Sequence, residues 1–401
     1  MTFLDRQSLS ATLPPLALYI HVPWCVRKCP YCDFNSHGVG HVSELPEADY
    51  LAALIADLEA DLPLAAGRQL VSVFIGGGTP SLMTAEFYAR LLEAVAARVP
   101  LAADAEITLE ANPGTLERGR FAGYRAAGIN RLSLGVQSFQ DQQLSALGRI
   151  HSGDDARAAV EEARDAGFDN LNLDLMHGLP GQTPELALAD LESAIALAPS
   201  HLSWYQLTLE PNTEFHSRPP SLPAEETLWD IQDLGHERLQ AAGFSRYEIS
   251  AYTRDDRHCR HNLNYWRFGD YLGIGAGAHG KLSAPGEGRA LAIQRRWKVR
   301  QPASYLRRRH DPRGFLAGSS PLPTEELPLE FAMNALRLVE GVPLADWASN
   351  TGQGTDALLA CLSAAREKGL LADDAERFQA SPLGLLFLNE LLASIGEHRA
   401  S

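Results

Sequence analysis

Cysteine, basic charge and long apolar runs are all scarce in this sequence of 401 residues. Its 5 cysteines are too few for a disulfide framework in a chain of this length. Cys259 and Cys361 stand alone and read as small buried hydrophobes. No stretch approaches the roughly 18 consecutive apolar residues that a membrane-spanning helix needs. The opening MTFLDRQSLSATLPPLALYIH lacks a basic segment followed by a long apolar run, so no signal peptide is expected. A cytoplasmic chain follows as the expectation, in a compartment where thiols stay reduced and available to metal.

Lysine and arginine number 35 against 50 aspartates and glutamates, which leaves a formal charge of −15. A negative surface repels phosphate backbones, so generic nucleic-acid binding is not expected. Arg295, Arg296, Lys298 and Arg300 form a local exception, as do Arg307, Arg308 and Arg309. Each group reads either as a solvated basic face or as counter-charge for an anionic ligand or acidic partner. With 45% hydrophobic residues the chain is of ordinary globular composition, and its length suggests one large core plus a smaller module.

Short apolar runs at 17–21, 70–75, 105–110, 130–135, 170–175 and 202–208 alternate with helical patterns near 47–60, 84–98, 115–127, 153–166, 184–197 and 224–241. Near-continuous apolar strands in repeated β/α order predict a parallel sheet covered by helices. Six such units suggest an α/β fold with an open, partial (β/α)6 barrel over 1–250, a doubly wound sheet being the alternative. The pattern breaks down over 251–320, read as a connecting segment rich in Gly, Pro, Arg and aromatics. Helices at 324–340, 354–367 and 382–395, with two short strands between the last two, predict a small winged-helix-like domain over 321–401.

The most informative spacing is Cys25-x3-Cys29-x2-Cys32. Three thiolates on one tight loop can each hold one iron of a [4Fe-4S] cubane and leave the fourth iron open. A zinc loop is the competing reading, and it would recruit His21 or His37 as a fourth ligand.

This loop lies in YIHVPWCVRKCPYCDFNS, which resembles the radical SAM superfamily. The resemblance narrows to the oxygen-independent coproporphyrinogen oxidase-like group, and within it to the HemW-type haem chaperones. It extends through GGGTP at 76–80, LEANP at 109–113, GVQSF at 135–139, DLMHGLPGQT at 174–183, HNLNYW at 261–266 and YLGIGAGAHG at 271–280. It implies a [4Fe-4S] cluster on Cys25, Cys29 and Cys32, with S-adenosylmethionine (SAM) on the open iron. By the same resemblance SAM contacts Glu110, Gln137, Arg149 and Asp174, with Tyr31 beside the adenine and Tyr19 steadying the methionine end. Gly77, Gly78 and Thr79 belong to a bare turn that admits the methionyl amino group.

Porphyrinogen oxidases of the group carry a fourth cysteine just after the motif, where this chain has Phe34. They also carry a longer N-terminal segment than the 18 residues that precede Tyr19. Both differences point to haem binding and delivery to an apo-haemoprotein, with haem as cargo and the cluster and SAM in a supporting or regulatory role. Oxidation of a coproporphyrinogen is the alternative, and a radical SAM enzyme of another substrate a third class. The resemblance implies His261 as an iron ligand, with Tyr265 and Trp266 as the apolar seat of the porphyrin, on a solvent-reachable loop suited to release. His258, Cys259 and His279 compete for the ligand role, and Arg295 and Arg296 are candidate propionate partners. A reducing electron donor is implied as a further partner, and the chain is compatible with a peripheral contact on a membrane haemoprotein.

Overall fold

The computed structural model describes residues 13–39, 42–114, 119–286 and 290–396. All six expected strands form: β1 (Leu16–Val22), β2 (Leu70–Gly77), β3 (Leu101–Ala111), β4 (Arg131–Gln137), β5 (Leu171–His177) and β6 (His201–Gln206). Each pairs in parallel with the next. The expected helices between them are α1 (Glu47–Ala65), α2 (Ala85–Ala96), α3 (Phe121–Ala126), α4 (Gly153–Asp165) and α5 (Pro184–Ala196), with α6 (Glu225–Ala241) after β6. The expected third helix begins on residues 115–118, which lie outside the described residues. Thr84, Ser152 and Thr183 cap α2, α4 and α5 by accepting from Phe87, Asp155 and Leu186 amides, which fixes where those helices start.

Side chains alternate across each strand. Leu18, Ile20 and Val22 join Leu54 and Leu91 in the core beneath the helices. Tyr19 points the other way and meets Phe74 and His261.

The reading of 251–320 as a connector is corrected. Beyond β7 (Ser245–Glu248) this segment forms β8 (Ala251–Thr253), β9 (Asp270–Ile274), β10 (His279–Pro285), β11 (Leu291–Lys298) and β12 (Leu316–Pro321). The twelve strands make one sheet in the order β12-β11-β10-β9-β1-β2-β3-β4-β5-β6-β8-β7. Among the described residues its two ends do not pair, so the barrel is open. Strand β9 lies parallel to β1, and β10, β11 and β12 extend that edge antiparallel. Glycine hides β9 from a propensity reading. A Cβ on Gly273 would fall 1.9 Å from the His279 carbonyl oxygen, so glycine is what lets β9 meet β10.

The basic run on β11 is also corrected, since it is largely internal counter-charge and not a solvated face. Lys298 Nζ reaches Asp57 at 2.5 Å and Asp61 at 2.6 Å, all three buried. Arg296 meets Asp61 at 3.2 Å, and Arg295 pairs with Glu330, so neither stands ready for a propionate. Asp57 also accepts from the Tyr305 hydroxyl and the Gly275 amide, which ties α1 to the strands beyond β9. Lys298→Met leaves buried Asp57 without its cation and Asp61 with Arg296 alone. We expect it to lower unfolding free energy by about 3–5 kcal/mol, measured by denaturant titration of the otherwise unchanged protein.

The C-terminal part keeps its expected helical character with different breaks. Leu327–Ala335 and Leu388–Gly396 are helices, Leu344–Thr351 adds one, and the expected 354–367 helix divides at a 3-10 turn, Ala360–Leu362. The expected hairpin reduces to a bridge between Leu371 and Ala380, while Arg377–Phe378 pairs with Val342–Pro343. Phe331 and Trp347 share a core with Tyr247 and Phe268, so this part packs on residues of the preceding segment.

Candidate functional site

The cysteine loop leaves the end of β1 and is closed by a short parallel pairing of Trp24–Cys25 with His37–Gly38. The Cys32 amide donates to the Cys29 carbonyl at 3.1 Å, which makes the turn that brings these cysteines onto one side. Asn35 then pins the loop to the far half of the sheet, donating to the Ala276 and Arg300 carbonyls, each at 2.9 Å. All three thiols are free and line one cleft at the strand ends.

Both ring nitrogens of His21 are engaged, by the Tyr19 hydroxyl and the Asn35 carbonyl, each at 2.9 Å. His37 lies 3.3 Å from the Asn35 side chain. Among the described residues no three His, Cys, Asp or Glu side chains converge on one ion. A single zinc needs such convergence, whereas a cubane asks each thiolate to reach a different iron. Three free thiols lining one cleft, with both nitrogens of His21 already engaged, suit a cubane with one open iron.

The opposite wall carries Glu110 and Asp174. Glu110 accepts the Gly77 amide at 3.1 Å, but burial and the neighbouring Asp174 push its carboxyl up to about 8. Asp174 accepts from Ser133 at 2.9 Å and Asn172 at 2.8 Å, and burial raises it too. Two carboxyls short of cations favour a positively charged ligand between them. Arg149 supplies the opposite sign near the cysteines. It donates to Asn112 at 2.7 Å and the Gly135 carbonyl at 2.8 Å, with its other nitrogen 3.7 Å from the Cys29 sulfur. A zwitterionic amino acid carrying an extra sulfonium charge suits that separation of signs.

Gln137 ends β4 with φ of +67°, an uncommon left-handed setting for a non-glycine residue, and accepts from the Tyr205 hydroxyl at 2.8 Å. Tyr31 lines the cleft while its ring also packs with Phe215. The glycines have a different local reason from the one expected. A Cβ on Gly77 would lie 2.5 Å from the His21 ring, and one on Gly78 would lie 2.5 Å from the Trp24 carbonyl oxygen. The chain's own packing thus requires them. Thr79 accepts from Asn112 at 3.1 Å.

Tyr19 does not line the cleft; its hydroxyl orients His21, which holds the loop through Asn35. Asn112, Ser133 and Tyr205 do line it and were not singled out from sequence. Asn112 stands inside LEANP, and Ser133 precedes Gly135 and Gln137 at the strand period of two, so a period count would have found both.

HNLNYW folds as helix α7 (Arg260–Trp266), not as a solvent-reachable loop. His261 turns inside the barrel, stacked at 4.8 Å on Phe74 and 3.4 Å from the Ser72 hydroxyl. Burial lowers its imidazole to about 3, so the ring is neutral. Tyr265 meets Tyr271, while Trp266 lies under Arg337 at 4.5 Å against the C-terminal core. Tyr265 and Trp266 meet edge-on at 5.1 Å, while His261 packs on Phe74 and Tyr19. Cys259 is buried 3.4 Å from Glu106, its thiol pushed up to about 12. His258 is half-buried against Tyr247, and His279 stacks on Trp297.

Residues 19–194 match the radical SAM superfamily, and 322–387 match the HemN C-terminal domain. A protein of Escherichia coli named heme chaperone HemW is 51% identical over 95% of this chain and 98% of its own length. One of Haemophilus influenzae with the same name is 50% identical over 95% and 97%. The chain belongs to the HemW family. Its fold is that of Escherichia coli coproporphyrinogen III oxidase (HemN), with a TM-score of 0.78 at 23% identity, covering 96% of this chain and 90% of that one. As a radical SAM member, this HemW-family chain implies a [4Fe-4S] cluster and SAM, and the three free thiols and the sign-separated cleft fit both. Among the described residues no helix is long and apolar enough to cross a membrane.

Proposed function

We propose that the chain binds haem and hands it to apo-haemoproteins, with cluster and SAM in a supporting or regulatory role. The observation that carries the reading is Phe34, 58% exposed beside Cys32, where the resemblance gives the oxidases another cysteine. The name heme chaperone HemW on relatives at half identity supports it. In this reading Cys25, Cys29 and Cys32 hold the cluster. SAM, which when bound to it supplies a reducible sulfonium, lies against Tyr31, Gly78, Thr79, Glu110, Gln137, Arg149 and Asp174. Arg149 holds the carboxylate end, and Glu110 with Asp174 holds the cationic side. Cytoplasmic work, an apo-haemoprotein recipient and a reducing donor belong to the same proposal.

The test is an anaerobic haem titration followed by transfer to an apo-haemoprotein, with 5′-deoxyadenosine assayed throughout. We expect saturable binding near one equivalent and transfer without matching SAM consumption. Vinyl product formed from a porphyrinogen would favour the oxidase reading instead. A neutral imidazole can ligate iron, so His261→Ala should shift the Soret band; unchanged spectra would transfer that role to His258.

A further inference from the structure

Asp174 is one end of a chain of hydrogen bonds that runs through the barrel interior. Strand β5 carries Asn172 and Asp174 two residues apart, on one face. Its register sets Asn172 between Ser133 of β4 and His201 of β6. The Asn172 amide nitrogen donates to Asp174 at 2.8 Å and to the Ser133 hydroxyl at 2.7 Å. Ser133 in turn donates to the other Asp174 oxygen at 2.9 Å. The Asn172 amide oxygen faces away, 2.6 Å from His201 Nδ1, and His201 Nε2 lies 2.8 Å from the Tyr247 hydroxyl of β7. Asn172 and His201 are both buried.

That order of partners fixes where the protons sit. An amide oxygen only accepts, so His201 Nδ1 carries the hydrogen. Burial, with Arg131 and His258 beside it, keeps the ring neutral, so Nε2 is bare and accepts from Tyr247, whose phenol burial holds protonated. The Ser203 hydroxyl donates to the same Asn172 oxygen at 3.1 Å but also acts on Asp174. It does not by itself fix the amide; His201 does. Turning that amide over would set an oxygen against the Asp174 carboxylate and draw the Ser133 proton away from it.

We propose that His201 is a positioning residue for SAM: through Asn172 it keeps two hydrogen-bond donors on the Asp174 carboxylate and so holds that group as the partner of a cationic ligand. The inference rests on the SAM reading above. The titratable groups that act on Asp174 from the strands around it are Glu110 of β3, Arg131 of β4 and Tyr205 of β6. Fewer donors on a carboxylate favour its protonated form, and a cationic ligand needs the ionised one. Affinity lost with the donors is therefore regained as pH rises.

The experiment uses the full chain, anaerobically reconstituted, with SAM affinity measured by calorimetry across pH. His201→Leu removes the donor to Asn172 and should bind SAM about tenfold more weakly near neutral pH, the deficit closing as pH rises. His201→Gln offers an N–H to Asn172 and a carbonyl oxygen to Tyr247, and should stay within about threefold of wild type. Iron content should be the same in all three proteins. A deficit equal at every pH, or no rescue by glutamine, would reduce His201 to packing and overturn the proposal. A second measurement needs no leucine variant: nitrogen-15 resonance of the histidine-labelled wild-type chain, with the His201 signal assigned by its loss in His201→Gln. The Nδ1–H tautomer is expected, and the Nε2–H tautomer would overturn the proposal. Wild-type protein that binds no SAM would defeat the SAM reading, while the nitrogen spectrum would still decide the direction of the chain.

Discussion

Alanine at Cys25, Cys29 or Cys32 is expected to abolish the cluster in each case, taking iron from about four per chain to near zero. Among the described residues the cleft offers no substitute thiolate. His21 spends both ring nitrogens on Tyr19 and Asn35, and no further cysteine lines the cleft. Loss should therefore be complete rather than graded, and SAM affinity should fall with it. Cys259→Ala and Cys361→Ala are the controls, since neither thiol reaches the cleft. Iron analysis and the visible spectrum after anaerobic reconstitution check this. A full complement of iron in any of the three variants would defeat the assignment.

The second large effect concerns Glu110. Its folded pKa of about 8 lies above the ordinary carboxyl value of 4.5. The folded chain therefore holds a proton that the unfolded chain has lost across that window. Stability contributed by this group falls as pH rises from 4.5 to 8, by at most about 1.4 kcal/mol per pH unit. A cationic ligand favours the ionised carboxylate and must expel that proton to bind. SAM affinity is thus expected to rise with pH towards 8 by up to about tenfold per unit and then level off. Calorimetry in buffers of different ionisation heat should show proton release at neutral pH. Glu110→Gln should bind weakly and without that release. Asp174→Ala should lose about tenfold or more in SAM affinity while its iron content is unchanged. A flat pH profile for the wild-type protein would show that another group carries the charge.

Much of this was legible from sequence because the chemistry and the strand ends coincide. The six apolar runs are parallel strands, and Glu110, Gln137 and Asp174, which the resemblance assigns to SAM, stand on three of them. They line one cleft. Tyr19 was the exception, because a strand position tells which face a side chain takes and not which neighbour intercepts it; His21 stands between it and the loop. The 251–320 stretch failed for a related reason. Its strands are glycine-rich where they crowd, as at Gly273, or carry arginine and lysine where they meet buried carboxylates, as at Lys298. Both compositions imitate a loop when partners distant in sequence are unknown. HNLNYW shows the same limit, since nothing local distinguishes a histidine turned inward on Phe74 from one facing solvent.

The sheet order carries a consequence for synthesis. Strand β1 has β2 on one side and β9 on the other, so the first strand to leave the ribosome waits for one of the last to complete its pairing. The cysteine loop waits longer still. Its anchor, Asn35, bonds to carbonyls 241 and 265 residues further on. Contacts of such separation close late, because loop entropy is spent before they form. Until residue 300 has been made the thiols thus sit on a loop held by its local contacts and by His21 but without its far anchor, so the finished geometry waits for the C-terminal strands.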